Sequence, residues 1–164
     1  MDDETFMEMC LEEAERAFEQ EEVPVGALLV SGEDAILSKT HNLTIKRNSP
    51  AAHAEMLAIE AAAKAIGNYR LPGCTLYVSM EPCIMCAGGI VEARIKRLVF
   101  GCFDPKKGAF GSVIDVNKLP LNHKVEVKGG VLKEKSGAIL KRFFQIRRGT
   151  EEAVTGPTRN RLCA

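Results

Sequence analysis

The sequence lacks any apolar run close to the ~18–20 residues that are needed to cross a bilayer. Its opening stretch, MDDETFMEMC, lacks the positive charge that begins a secretory signal peptide. It also lacks a dense cysteine framework, because its six cysteines are spread along 164 residues and only one pair has a diagnostic spacing. These absences argue against membrane-spanning, secreted and disulfide-stapled proteins. We therefore expect a cytoplasmic protein with no membrane partner.

Net charge is absent as well, since 22 basic residues balance 22 acidic ones. A neutral chain is on average a poor partner for nucleic acid. The average hides an asymmetry, because residues 1–22 hold ten acidic residues and Arg16 as their single base. The rest of the chain holds 21 basic and 12 acidic residues, an excess of nine positive charges. A basic face could therefore still attract a polyanion if the acidic segment packs away from the active site.

The length of the chain fits one domain with its own hydrophobic core. There is no internal repeat and no low-complexity tract, and only the last sixteen residues read as a loose polar segment. We assign residues 1–148 to a single domain and residues 149–164 to a polar C-terminal tail.

Apolar spacing and turn residues predict that helices and strands alternate along this domain. The predicted helices are 3–21, 51–67, 83–95 and 134–148, and the predicted strands are 25–30, 35–41, 75–80, 98–103 and 125–128, with a further short segment near 113–117. Crossover helices between strands require a sheet that is at least partly parallel. The pattern therefore predicts an α/β fold, with three layers, α/β/α, around a mixed sheet of about five strands.

The stretch SMEPCIMC, residues 79–86, contains the one diagnostic cysteine pair. A Cys-x-x-Cys can be half of a structural zinc site, a redox pair, two ligands of a catalytic metal, or two core thiols. Cys83 and Cys86 are three residues apart at a predicted helix start, so both sulfurs can contact one ion. The spacing alone does not choose among the four.

A second stretch, Ala52-His53-Ala54-Glu55, opens the preceding helix. If parallel strands carry both helices, their N-termini meet at one edge of the sheet and His53 can be a third ligand. Glu55 would then reach the open side of the ion as a proton shuttle, which is the catalytic zinc pattern. A structural site would need Cys74 or Cys102 as a fourth ligand, and we interpret both as core thiols. Together, His-x-Glu and Pro-Cys-x-x-Cys are typical of zinc nucleobase deaminases.

With these residues placed, the sequence resembles the bacterial tRNA-specific adenosine deaminases, which have the cytidine-deaminase-like fold. The resemblance covers nearly all of residues 4–148. It rests on PVGALLV (24–30), AHAEM (52–56), NYRL (68–71), TLYVSMEPCIMCAGG (75–89), DPKKGAFGS (104–112), NHKVEV (122–127) and LKRFFQIRR (140–148).

The resemblance implies one zinc ion per subunit and hydrolysis of adenosine to inosine at the wobble position of a tRNA anticodon. The metal ligands would be His53, Cys83 and Cys86. Zinc-bound hydroxide would attack C6 of the purine, with Glu55 as the catalytic proton shuttle. The resemblance also implies three substrate contacts: the side chain of Asn42, the backbone of Ala54, and Val30 packed on the base.

The zinc motif does not by itself select tRNA, because deaminases of free bases and nucleosides use related sets of residues. The periphery of the domain bears on the choice. Lys106 and Lys107 can hold phosphates, and Asn122 and His123 can position an anticodon nucleotide. Phe144 is either a base-stacking platform or part of the core edge.

Two other functions remain open from the sequence. One is a deaminase of a free nucleobase or nucleoside, guanine or cytidine. The other is a non-catalytic RNA-binding protein with a structural, four-ligand zinc site. The resemblance further implies a homodimer, with LVFGCF (98–103) bordering the interface.

Overall fold

The computed structural model describes residues 1–155, which form one five-stranded mixed sheet with helices on both faces. The helices are α1 (Asp3–Glu19), α2 (Ala54–Ile66), α3 (Ile84–Glu92) and α4 (Lys133–Thr155). The strands are β1 (Gly26–Val30), β2 (Ile36–His41), β3 (Thr75–Met80), β4 (Arg97–Cys102) and β5 (Glu126–Lys128). This architecture confirms the predicted α/β/α fold. Within residues 1–155, each helix is too short or too polar to span a bilayer.

The interior strand β1 shows how the sequence builds two faces. All five of its residues are buried, and successive side chains point to opposite sides of the sheet. Ala27 and Leu29 join the core cluster that includes residues of α2 and α3, whereas Leu28 and Val30 join a second cluster with Phe6 of α1. A strand that is buried on both faces reads as a continuous apolar run, which is why GALLV shows no alternation.

The strand order is β2-β1-β3-β4-β5. β1 is antiparallel to both β2 and β3, whereas β3, β4 and β5 are parallel. The ends of β2 at His41, β3 at Met80 and β4 at Cys102 therefore lie at one edge of the sheet, together with the start of β1 at Gly26. We call this the upper edge, and the opposite one, where β3 and β4 begin, the lower edge. The order of the strands brings the starts of α2 and α3 to the upper edge.

The two helices begin slightly later than the sequence predicts. His53 and Cys83 are N-cap residues in extended conformation, with ψ of 149° and 176°, rather than members of the first turn. Neither side chain caps its own helix by a hydrogen bond, so both are free to point elsewhere. α2 ends at Gly67, whose φ of 69° is the left-handed conformation typical of a helix C-terminus.

The C-terminal part differs from the expectation in extent. α4 continues to Thr155 instead of ending near Arg148, and the Thr150 hydroxyl donates to the Ile146 carbonyl at 3.0 Å within the added turn. The short segment near 113–117 is an isolated bridge followed by a 3-10 turn, Val116–Lys118. The remainder of the predicted tail, with Cys163, lies outside the described residues.

Candidate active site

Three potential metal ligands meet at the upper edge. The ring Nδ1 of His53 lies 3.7 Å from the sulfur of Cys83 and 3.5 Å from that of Cys86. The ligand atoms of all three residues lie within 4.8 Å of one another. Zinc–sulfur and zinc–nitrogen bonds of about 2.3 and 2.1 Å at a tetrahedral angle separate N and S by about 3.6 Å. The spacing of the donor atoms therefore fits one zinc ion per subunit.

Among the described residues, these are the only three that cluster in this way. Cys74 is buried in the core cluster beneath α2 and α3, and the Cys102 thiol donates to the Ser79 carbonyl at 3.7 Å. Neither takes part in the His-Cys-Cys cluster. Cys74 is a core thiol, as predicted, whereas Cys102 is only partly buried and lies outside the core clusters. A site with three protein ligands leaves a fourth position for water or substrate, which is the arrangement of catalytic zinc.

The two cysteines differ in how readily they lose a proton. The Cys86 thiol hydrogen-bonds to the sulfur of Cys83, and this contact, helped by His53, lowers the pKa of Cys83 to about 3. The same contact and burial raise the pKa of Cys86. Binding of a divalent cation to both sulfurs displaces the remaining proton. The arrangement therefore favours the thiolate form of Cys83, which is the form that binds a metal.

Glu55 lies in the first turn of α2, beside the cluster, and is 4% exposed. Burial is the main cause that raises its pKa to about 6. A carboxyl group with a pKa near 6 can both accept and release a proton close to neutral pH, as a proton shuttle must. Its position agrees with the role that the sequence analysis gives it, although the role itself stays a prediction.

A cavity of about 490 Å³ opens over the cluster at the upper edge. Its walls include eight of the residues that the sequence singles out for the site: Asn42, His53, Ala54, Glu55, Cys83, Lys106, Lys107 and Phe144. Phe144 is 43% exposed, whereas its neighbour Phe143 is buried, so Phe144 presents part of its ring to the cavity and does not belong to the core.

Asn42 has a side-chain amide that is only partly hydrogen-bonded. It is 6% exposed, and its Nδ2 donates to the Thr44 hydroxyl at 3.4 Å. Its Oδ1 is buried and has no hydrogen-bond partner within the described residues. Leaving a buried acceptor unpaired costs about 1–3 kcal/mol. A hydrogen-bond donor on the substrate would remove this cost by pairing with the Oδ1 of Asn42.

The structure corrects the prediction for Val30. Because β1 is antiparallel to β3, Val30 lies at the lower edge beside Thr75, and its side chain is buried in the cluster with α1. Val25, directly before β1, lines the cavity in its place, together with Val23. The direction of the strand, which the run PVGALLV does not reveal, decides which valine reaches the site.

Asn122 and His123 are not on the cavity wall. Asn122 is exposed, and the His123 ring hydrogen-bonds to the Ile95 carbonyl at 2.7 Å, in the turn before β4 at the lower edge. Any contact of these two residues with RNA would lie away from the cavity, and their role stays a prediction.

Sequence reasoning missed several residues of the wall. Thr44, Glu81 and Asp104 all line the cavity. Glu81 directly precedes the Pro-Cys-x-x-Cys motif and is 3% exposed. Its position next to the motif is the only signal of a role at the site. A single acidic residue between a strand and a proline does not indicate that its carboxylate is buried.

A His-Cys-Cys cluster with a buried glutamate at the upper edge of such a sheet defines a zinc-dependent deaminase. In agreement, a model of the cytidine and deoxycytidylate deaminase zinc-binding region matches residues 1–102. The chain is 46% identical to the tRNA-specific adenosine deaminase of Bacillus subtilis over 154 residues, 93% of this chain and 94% of that protein. It is 48% identical to the tRNA-specific adenosine deaminase of Haemophilus influenzae over 147 residues, 89% of this chain and 85% of that protein.

A solved structure agrees with these relatives. It comes from biochemical and structural studies of A-to-I editing by tRNA:A34 deaminases at the wobble position of transfer RNA. Its TM-score is 0.80 at 43% identity, over 82% of this chain and 98% of that one. The chain therefore belongs to the family of tRNA-specific adenosine deaminases.

Proposed function

We propose that the protein deaminates adenosine to inosine at the wobble position of a tRNA anticodon, with release of ammonia. One observation carries the proposal: a three-ligand zinc site and a buried glutamate share a cavity whose side is formed by two lysines and an exposed phenylalanine. Deamination of a free base would need only the zinc site and the glutamate. The lysines and the phenylalanine suit a substrate with phosphates and neighbouring bases.

The residues of the cavity divide the work. His53, Cys83 and Cys86 hold zinc, which when bound lowers the pKa of a water molecule and supplies a nucleophile at neutral pH. Glu55 takes a proton from the attacking water and delivers it to N1 of the adenine. It then takes the proton of the new C6 hydroxyl and passes it to the amine, which leaves as ammonia while the C6 carbonyl forms. The raised pKa of Glu55 suits this exchange. The net reaction adds one water and releases one ammonia.

Other residues of the wall orient the nucleotide. Asn42 offers a buried amide to the target nucleoside, and the backbone of Ala54 contacts the base beside Glu55. Phe144 stacks on a neighbouring base of the unpaired anticodon loop, since an exposed ring on the wall gives a π surface that any base can use. Asn122 and His123 contact RNA outside the cavity.

We also propose a homodimer that works in the cytoplasm. Of the predicted border 98–103, residues 98–101 are buried and only Phe103 is exposed, so the interface would use other apolar side chains that are exposed in or near α2 and α3 and in the loop after Gly111. They are Ile66, Tyr69, Ile84, Met85, Val113, Ile114, Leu119 and Leu121. Light scattering of the purified protein tests this directly: a dimer mass is expected, and a monomer mass at micromolar concentration would contradict it.

The test of function compares substrates on the zinc-loaded protein. We expect inosine in an unmodified anticodon stem-loop with adenosine at the wobble position, and no ammonia from guanine or cytidine. The second candidate, a deaminase of free guanine or cytidine, predicts the reverse. Release of ammonia from either small substrate, with an unchanged stem-loop, would replace the proposal.

A further inference from the structure

We propose that Glu81 is a positioning residue, which fixes the loop 104–112 against the zinc site and so places Lys106 and Lys107 for RNA phosphates. The inference rests on the proposed function, because it supposes a phosphate-bearing substrate. It concerns how the cations are held, and it gives a role to a buried carboxylate that the reaction itself does not use.

The environment of Glu81 is unusual for a charged side chain. It is 3% exposed, between the end of β3 and the zinc ligand Cys83. Its carboxylate accepts from the Ser112 hydroxyl at 2.5 Å and from the Ser112 backbone N–H at 3.4 Å. No lysine or arginine within residues 1–155 forms an ion pair with it. A buried carboxylate without a cation depends on such hydrogen bonds, so the contact to Ser112 is an important one.

The backbone of the loop lies directly on this carboxylate. A Cβ on Gly108 would stand 1.7 Å from Oε2 of Glu81, a distance that no side chain tolerates. The next residue, Ala109, donates its N–H to the Pro82 carbonyl at 2.9 Å. Pro82 and Glu81 therefore accept hydrogen bonds from the loop at Ala109 and Ser112, and Glu81 packs closely on Gly108.

The two lysines occupy the first half of the same loop. The backbone N–H groups of Lys106 and Lys107 donate to Oδ1 of Asp104, at 3.0 and 3.2 Å, and the Gly108 N–H donates to the Asp104 carbonyl. This tight turn ends at Gly108, where the carboxylate of Glu81 begins its contact. The turn fixes the shape of the lysine segment, and Glu81 fixes where that shape stands relative to the zinc site.

A fixed loop matters because lysine side chains are long and flexible. Ordering a loop and its side chains on binding costs free energy, and a loop that is already in place reduces this cost. Loss of the anchor should therefore weaken RNA binding, with little effect on the chemical step. The effect should also depend on salt, since phosphate contacts release counterions.

The experiment measures kcat and KM for the anticodon stem-loop at several salt concentrations. The main variant is Ser112→Ala, which removes the hydroxyl from the loop side and leaves the residues next to Cys83 intact. Glu81→Gln tests the same contact from the other side, with zinc content measured in both. Ser38→Ala is the control, since it also loses one hydroxyl hydrogen bond, to the Ala58 carbonyl, between β2 and α2 and outside the loop.

We expect Ser112→Ala to raise KM about tenfold, to keep kcat within about twofold, and to flatten the plot of log KM against log salt by about 0.7, the slope of one phosphate contact. Glu81→Gln should do the same with full zinc. In a protein that already carries Lys106→Ala and Lys107→Ala, neither Ser112→Ala nor Glu81→Gln should raise KM further. Ser38→Ala should leave KM and the slope unchanged.

Three results would overturn the inference: a salt slope for Ser112→Ala equal to that of the wild type, a fall in kcat at constant KM, or an additive effect in the background without the two lysines. These outcomes are distinct from failure of the proposed function. If the wild-type protein forms no inosine in the stem-loop, the function is wrong and the inference falls with it. If the wild type is active and the slope is insensitive, only the inference fails.

Discussion

The two edges of the sheet shift the pKa of a carboxyl group in opposite directions. At the lower edge, Asp3 accepts two hydrogen bonds from the Arg97 guanidinium, at 2.7 and 2.8 Å, and further ones from Lys128 and Tyr77. The contact with Arg97 holds the pKa of Asp3 well below its usual range. At the upper edge, burial raises the pKa of Glu55 to about 6. One carboxylate is fixed in its charged form, and the other is poised to gain a proton.

The difference separates stability from activity. At the lower edge, groups of opposite charge satisfy one another within the protein. At the upper edge, the Oδ1 of Asn42 has no partner within the described residues, and two members of the His-Cys-Cys cluster, His53 and Cys83, line a cavity. Groups that are satisfied internally stabilise the fold, whereas groups that lack partners are completed by a ligand. Substitutions at the two edges should therefore have separable effects.

Removing one zinc ligand is expected to have the largest effect at the upper edge. With Cys83→Ala, two protein ligands remain, so bound zinc should fall from about one ion per chain to below about 0.1, and inosine formation should fall to background. Elemental analysis by mass spectrometry measures the zinc, and an assay on the anticodon stem-loop measures the product.

Cys74→Ala is the control for this substitution, because it removes a buried thiol of the hydrophobic core that lies outside the His-Cys-Cys cluster. It should retain zinc and activity. Loss of zinc from the Cys74 variant would indicate a fourth protein ligand and would make the site structural.

Glu55→Gln sharpens the comparison by changing the proton shuttle alone. The amide keeps the size of the side chain but cannot carry a proton, so the rate of inosine formation should fall about 10³-fold or more. Zinc content and affinity for tRNA should stay at wild-type values. A variant within tenfold of the wild-type rate would remove Glu55 from the mechanism.

Val25, directly before β1, and Val30, at its end, test the two edges along one short segment. Val25→Ala removes apolar contact from the cavity wall and should lower kcat/KM about tenfold. Val30→Ala opens a cavity in the cluster with α1 and should cost about 2 kcal/mol in the free energy of unfolding, with kcat/KM nearly unchanged. Urea unfolding and steady-state kinetics of both variants measure the pair. The opposite assignment of effects would reverse the placement of the two residues.

Asp3→Asn is expected to have the smallest effect on activity, namely none. Because the pKa of Asp3 is lower in the folded than in the unfolded chain, its ion pairs stabilise the fold above the unfolded pKa of about 3.9 and lose that effect as the pH falls below it. The free energy of unfolding of the variant should be about 2 kcal/mol lower than that of the wild type at pH 7. Most of the loss comes from the contact with Arg97, since the exposed Lys128 contributes little.

The pH dependence is the check on this account. The difference in unfolding free energy between wild type and Asp3→Asn should narrow as the pH falls from 5 toward 3, as measured by urea unfolding at each pH. A difference that stays constant, or that widens in acid, would contradict the role of the Asp3 ion pairs.

The upper edge could be predicted further from the sequence than the lower edge. The zinc ligands sit at two helix starts, and a local motif marks each of them, so the order of strands and helices is enough to bring His53 to Cys83 and Cys86. Val30 lies at the lower edge, away from the cavity, because the direction of β1 follows from its pairing with β3, which the residues of β1 do not encode. Local composition still favoured the correct helices and strands.

Contacts between distant parts of the chain were beyond the sequence. Glu81 and Ser112 are 31 residues apart, and Asp3 and Arg97 are 94 apart. Single acidic and basic residues are common, and nothing in their neighbours indicates which will pair. The tertiary fold selects these partners, which is why a buried carboxylate beside the zinc motif became visible only in three dimensions.

The central claim is that this zinc site acts on one adenosine of a folded tRNA. The most direct measurement is to incubate zinc-loaded protein with a full-length unmodified tRNA that has adenosine at the wobble position, and to sequence the product, where inosine is read as guanosine. We predict conversion at the wobble position and at no other adenosine of the tRNA. An unchanged tRNA, or inosine spread over several positions, would contradict the account.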